Sequence, residues 1–263
     1  MKKLLKIDKD IYEIDDVNKY YKFYSRNSNW KKLTEDENIR NKKQIAGYRK
    51  IIGEKIVKRE NKEEFYKELL SKPINNLIKN LSSNDATLKY QSSKALIELS
   101  EKNPKHVYPF FDQFVELFNN KNNIIKWTGI IVIGNLAPAD SDRRIIKILP
   151  KLFSLLNKGK MITAGNTTIT LSCYAKYFPE LENKITNELL KVEKYKYDTK
   201  ECSNIAIGHV INGFELYLDE PNKKVIDFCK RSLKNTRPAT AKKAEKFLKR
   251  ISPKISLTKE LYE

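Results

Sequence analysis

Four prolines divide this chain at nearly even intervals. Pro104, Pro138, Pro179 and Pro253 each follow a stretch of helix-forming, partly apolar sequence, and the steps between them are 34, 41 and 74 residues, the last being two units of 37. A period near 37 suits a two-helix repeat. Proline cannot continue a helix interior but tolerates the first turn of the next helix, so each one marks a break between a helix A and a helix B. In the first B segment Val107, Phe110, Phe111, Phe114, Val115 and Phe118 fall on one face of a 3.6-residue helix. Leu181, Ile185, Leu189 and Val192 repeat the pattern in the third B segment, Val225, Phe228, Cys229 and Leu233 in the fourth, and Ala244, Phe247, Leu248 and Ile251 in the last A segment. One such pair cannot cover its own apolar faces, whereas stacked pairs can, which predicts a solenoid in which each unit touches mainly its neighbours.

The first sixty residues read less regularly. Thr34-Glu-Asp-Glu37 has the pattern of a capping box, predicting a helix over 35–58, and shorter helices are predicted at 63–70 and 74–81 around Pro73. Residues 1–33 carry Tyr12, Tyr20, Tyr21, Phe23, Tyr24 and Trp30 and are expected to form an irregular or helical cap. The chain has only 8 Gly and 9 Pro, which favours helices joined by short loops over strands and tight turns. The expected organisation is an N-terminal helical cap, poorly defined, over 1–60 and one continuous solenoid over 61–263.

Several stretches resemble small, uncharacterised prokaryotic HEAT-repeat proteins: Val107-Tyr-Pro-Phe-Phe-Asp-Gln-Phe-Val, Ile125-Lys-Trp-Thr-Gly-Ile-Ile, Ile162-Thr-Ala-Gly-Asn, Asn187-Glu-Leu-Leu-Lys-Val-Glu and Ala239-Thr-Ala-Lys-Lys-Ala-Glu-Lys-Phe-Leu-Lys. The resemblance covers roughly residues 80–251. It implies an all-α, right-handed α-α superhelix of the HEAT/armadillo type, with about five helix pairs, and brings no catalytic residues with it.

Composition and motifs narrow the function classes. Hydrophobic residues at 40% and charged residues at 32% fit a soluble globular chain. No apolar run approaches the ~18 residues of a membrane span, and Asp8 and Asp10 interrupt the basic start before a secretory signal could form. Cys173, Cys202 and Cys229 are odd in number and far apart, as expected of reduced thiols in a cytoplasmic protein. Cys202 and His209 lie seven apart on one predicted helix, two ligands where a structural zinc site takes four. His106 is isolated. Gly47 to Lys55 departs from a phosphate loop in its spacing and in Ile56, which stands where Ser or Thr should hold magnesium. Asp140-Ser-Asp142 sits where a helix should start and reads as a cap rather than a paired-carboxylate site. The sequence therefore points to no enzyme, metal or cofactor site.

The net charge is +19. Residues 38–62 hold nine Lys/Arg against two Glu, and residues 223–254 hold twelve against Asp227 and Glu245. Two clusters fall on B helices, which by analogy of fold line the inner side of such solenoids: Arg143, Arg144, Lys147 and Lys151, and Lys223, Lys224, Lys230, Arg231, Lys234 and Arg237. The leading expectation is a non-catalytic scaffold for an acidic protein partner. The alternative is nucleic-acid binding through a basic concave surface. Some HEAT-like solenoids are DNA glycosylases for alkylated bases, chemistry that needs a carboxylate near aromatic and Arg side chains. Here Trp127 is followed by Thr-Gly-Ile-Ile, with no acid in the next turn. Membrane-surface binding is not expected, because the apolar faces are consumed in stacking.

Overall fold

The computed structural model describes residues 64–260 apart from 158–159 and 221–222, with side chains through 251, and the backbone of four short segments within 3–32. The capping box at Thr34, the helix expected over 35–58 and the Gly47–Lys55 segment lie outside the described residues. The chain divides into two compact units, Met1–Glu68 and Leu69–Glu263.

In the first unit the expectation of an irregular or helical cap is corrected. Strands β1 (Lys3–Ile7), β2 (Asp10–Ile14), β3 (Tyr20–Tyr24) and β4 (Asn29–Lys32) form an antiparallel sheet in the order β1-β2-β3-β4. Ile7 pairs with Asp10, Ile14 with Tyr20 and Tyr24 with Asn29, so each connection is a hairpin. The physical reason is composition within short windows. Leu, Ile, Tyr, Phe and Trp are concentrated in runs of four or five residues, too short for a stable helix, with polar residues between them. These hairpins turn without any Gly or Pro, so the scarcity of those residues was a poor guide here.

The second unit is an all-α solenoid. After α1 (described over 64–70) and α2 (Ile74–Asn80), A helices alternate with B helices. The A helices are α3 (Ala86–Lys102), α6 (Asn123–Asn135), α8 (Met161–Tyr177), α10 (Lys200–Tyr217) and α12 (Pro238–Glu260). The first B helix is broken into α4 (Pro104–Val107) and α5 (Phe111–Glu116), each followed by a short 3-10 turn. The others are α7 (Ile145–Leu156), α9 (Pro179–Leu189) and α11 (Lys223–Ser232). Asp85, Asn122 and Thr199 cap the A helices α3, α6 and α10 by accepting from the backbone amides of Thr87, Ile124 and Cys202. Pro104 and Pro179 open B helices at the first position, as expected. Two prolines behave otherwise. Pro138 sits in a 3-10 turn, Ala137–Ala139, ahead of the loop to α7, and α12 runs on through Pro253 to Glu260.

The B helices supply one wall of the apolar core, and the A helices the other, with Ile125, Ile130, Ile133, Leu171, Val210 and Phe214. Val107, Phe111, Phe114 and Phe118, then Leu149 and Leu152, then Leu181, Ile185 and Leu189, then Val225, Phe228 and Cys229 are buried. Leu233, expected among them, is exposed, because α11 ends at Ser232.

Successive A helices meet through small and hydroxylic residues instead. Ser93 and Thr128 share a hydrogen bond of 2.6 Å, Asn135 donates to Ser100 at 2.9 Å, Thr170 donates to the Ile130 carbonyl at 2.7 Å, and Thr240 donates to the Asn204 carbonyl at 2.8 Å. Among the described residues, every side-chain hydrogen bond reaching more than 12 residues along the chain spans 31 to 41. Each unit therefore bonds to the next one and to none beyond it. Consecutive A helices pack directly on one another more extensively than consecutive B helices do.

Close approach makes one glycine decisive. A Cβ on Gly129 would stand 2.6 Å from the Phe114 carbonyl oxygen and 2.8 Å from Leu117 Cβ. Replacing a helical Gly by Ala normally stabilises by about 1 kcal/mol. At this position Gly129→Ala is expected to destabilise by about 1–3 kcal/mol, because backbone must shift to admit the methyl. Urea unfolding, read as a lowered midpoint at unchanged slope, checks this.

Candidate interaction surfaces

Asp140 is buried, and its carboxylate accepts from the backbone amides of Arg144 at 2.8 Å and Ile145 at 3.0 Å, and from the Tyr108 hydroxyl at 2.6 Å. These bonds cap α7 and tie it to the preceding B helix. They leave the carboxylate engaged on every side, so it is a structural group. Arg143 takes the tight backbone turn beside it, at φ 54°.

The ten basic residues singled out by sequence fall into two kinds. All four arginines pair with an acid roughly one repeat away. Arg143 pairs with Glu180, Arg144 with Asp112, Arg231 with Glu193 and Arg237 with Glu201. Arg144 also lays its guanidinium 4.7 Å from the Phe111 ring centre and 5.5 Å from that of Tyr108, and Arg143 lies 5.5 Å from Phe178. Arg231 holds Glu193 with two bonds, of 3.1 and 2.7 Å. Its planar fork suits this double contact. Arg143, Arg144 and Arg231 link successive B segments, and Arg237, just ahead of α12, links to α10.

The lysines differ. Lys151 donates to the Val115 carbonyl at 3.3 Å and lies over Phe118, and Lys224 donates to Asn187 at 3.2 Å. Lys147, Lys223, Lys230 and Lys234 are exposed, with no acidic partner among the described residues. The two clusters do not merge into one groove. Between α7 and α11 lies α9 with its following turn, which carries Glu180, Glu182, Glu188 and Glu193.

Sequence reasoning missed a second basic feature. The loops from each B helix to the next A helix all emerge at the same edge, where the A helices begin. Lys121, Lys126, Lys194, Lys196 and Lys200 line this edge, none paired with an acid among the described residues. They are scattered in sequence, and only the repeat geometry gathers them.

Cys202 and His209 stand two turns apart on α10, both partly buried. His209 fills the notch above Gly165 of α8, where an added Cβ would lie 3.1 Å from its ring. Among the described residues no group of three or more His, Cys, Asp or Glu side chains is placed to hold a metal ion, and no helix is long and apolar enough to cross a membrane.

No protein-family model and no curated protein matches the chain. Solved structures with a similar course include an engineered protein at 15% identity, covering 72% of this chain and 87% of that one with a TM-score of 0.43. A designed armadillo repeat protein matches at 14% identity over 66% and 80% of the two chains, TM-score 0.43, and a further engineered protein at 12% over 68% and 98%, TM-score 0.40.

Two measurements follow from this geometry. A double-mutant cycle on Arg231 and Glu193, whose side chains are 57% and 32% exposed, is expected to give a coupling of about 0.3–1 kcal/mol that shrinks with salt. Burial, with Lys243 nearby, holds His209 below its ordinary 6.5. The unfolded state then binds more protons than the folded one as pH falls below 6.5. The melting temperature should therefore drop between pH 7 and pH 5, and His209→Gln should flatten that part of the profile.

Proposed function

We propose that this protein is a non-catalytic, HEAT-like solenoid scaffold, working in the cytoplasm, that binds an acidic protein partner. The observation that supports this reading most is the division of labour among its cations. The four arginines are each paired with a carboxylate of a neighbouring repeat, while Lys147, Lys223, Lys230 and Lys234 face solvent with no acidic partner among the described residues, on a chain of net charge +19. Unpaired lysines project a field that draws in an anionic macromolecule and accelerates its encounter. Between the two lysine groups, α9 and its following turn carry ion pairs and Glu182, so the positive surface is interrupted by charges of both signs. A phosphate backbone, uniformly negative along its length, gains least from such a pattern, whereas a protein can meet it with charges of both signs.

The test is binding of a 20-residue Glu-rich peptide and of a 20-nucleotide single strand, each at 50 and 200 mM salt. The peptide should bind, more weakly at 200 mM, and replacing Lys147, Lys223, Lys230 and Lys234 together by Ala should reduce its affinity at least tenfold. A strand that binds tighter than the peptide, and loses on the order of a thousandfold between the two salts as about six phosphate contacts would require, would transfer the reading to nucleic acid. Peptide affinity unchanged by the four substitutions would overturn the assignment to these lysines.

A further inference from the structure

The A layer carries a surface unlike the rest of the molecule. Charged residues make up 32% of the chain. Yet between Lys126 and Glu215 the A helices α6, α8 and α10 hold charges only at their ends: Lys126, Lys176, Lys200, Glu201 and Glu215. Their solvent-facing stripes follow helical spacing. Trp127 and Ile131 lie on α6, Ile162, Asn166 and Ile169 on α8, and Ile205, His209, Asn212 and Leu216 on α10. Ile162 is 48% exposed, Ile169 38% and Leu216 42%. The stripes adjoin. Trp127 Nε1 donates to Thr163 of α8 at 2.9 Å, and Gly165 of α8 seats the ring of His209 of α10. Isolated exposed apolar residues are ordinary, but a contiguous apolar patch marks an interaction site.

The neighbouring edge defines the occupant. The A stripes end, on the side where the A helices begin, at the unpaired lysines Lys126, Lys196 and Lys200, and the positive ends of the helix dipoles point the same way. An apolar band beside a basic rail complements a segment with one apolar face and one acidic face.

We infer that the A layer seats one segment of the partner, an amphipathic acidic polypeptide segment, in addition to the contact made by the B-layer lysines. Its apolar side chains lie across Ile131, Ile169, Ile205 and Leu216, and its carboxylates face the lysine edge. At 8–10 Å between helices, the band from α6 to α10 is about 20 Å wide, matching about six residues of extended chain. This rests on the proposed acidic partner and adds a second contact to it, on a face distinct from Lys147, Lys223, Lys230 and Lys234, which a uniformly Glu-rich peptide leaves empty.

The test is selection of a random 16-residue peptide library on the full chain, with an unrelated basic protein as counter-selection. Enriched sequences should combine apolar residues with Asp or Glu and should shift the fluorescence of Trp127. Ile169→Glu and, separately, Lys196→Glu with Lys200→Glu should each weaken the selected peptides at least tenfold. Ile169 and both lysines are solvent-accessible, so the variants should keep the parental helical circular dichroism and melting temperature. Ile169→Asn serves as a neutral second variant. Acidic peptides that bind but are lost only with the Lys147, Lys223, Lys230 and Lys234 substitutions would sink this inference and leave the acidic-partner reading standing. Enrichment of basic peptides, or no enrichment, would remove both. An Ile169→Glu variant that converts a dimer to a monomer, with no peptide selected, would assign the face to a second copy and overturn the inference.

Discussion

The fold of Leu69–Glu263 depends on how closely consecutive A helices approach. Gly134, Gly165, Gly208 and Gly213 each leave out a side chain where a neighbouring A helix lies within van der Waals contact. Ser93, Thr128, Thr163, Thr168, Thr170, Ser172 and Thr240 fill the seams while remaining hydrogen-bonded. A buried hydroxyl without a partner is costly, so a seam of this kind has few arrangements that satisfy it. Large apolar residues would hold the helices farther apart. Tight seams on one side and arginine bridges on the other shape the stack, giving a sparsely charged, partly apolar surface over α6, α8 and α10 and a charged B surface.

That asymmetry separates structural from interactive charge. Each of the four arginines named above is answered by a carboxylate about one repeat away. Exposed pairs of this type add little to stability individually. Their consequence is arithmetical: they remove four cations from what a partner meets and leave lysines. A scaffold that binds through unpaired lysines and an uncharged band needs no assembled reactive groups. Asp140, the buried carboxylate of the described solenoid, is taken up by two backbone amides and a phenol.

Much of the solenoid was legible in the sequence. The phenylalanines from Val107 to Phe118 and the leucines of α9 report their faces directly, because large apolar residues at helical spacing have few other uses. The A seams were not legible. Thr163 to Ser172 reads as a polar run, and only the hydrogen bonds back to carbonyls four residues earlier, as in Thr167, Thr168 and Ser172, allow burial. The sheet of residues 3–32 escaped because the sequence between its strands has Asp, Asn and Ser but no Gly or Pro, and such residues read equally as helix caps or loop. The basic candidates were found by counting charge, which cannot tell Arg143, held by Glu180, from Lys147, which no acid meets. Neither the lysine edge nor the apolar band has a linear signature, since each collects one or two residues per repeat.

The seams are the claim on which the rest stands, and nuclear Overhauser contacts test them most directly. The Hα protons of Gly134 should show cross-peaks to the side chain of Thr170, those of Gly165 to the ring of His209, and those of Gly208 to Thr240. No cross-peaks should join residues two repeats apart. Missing contacts at these glycines, or contacts linking α3 directly to α8 or α6 directly to α10, would contradict a linear stack and the two surfaces derived from it.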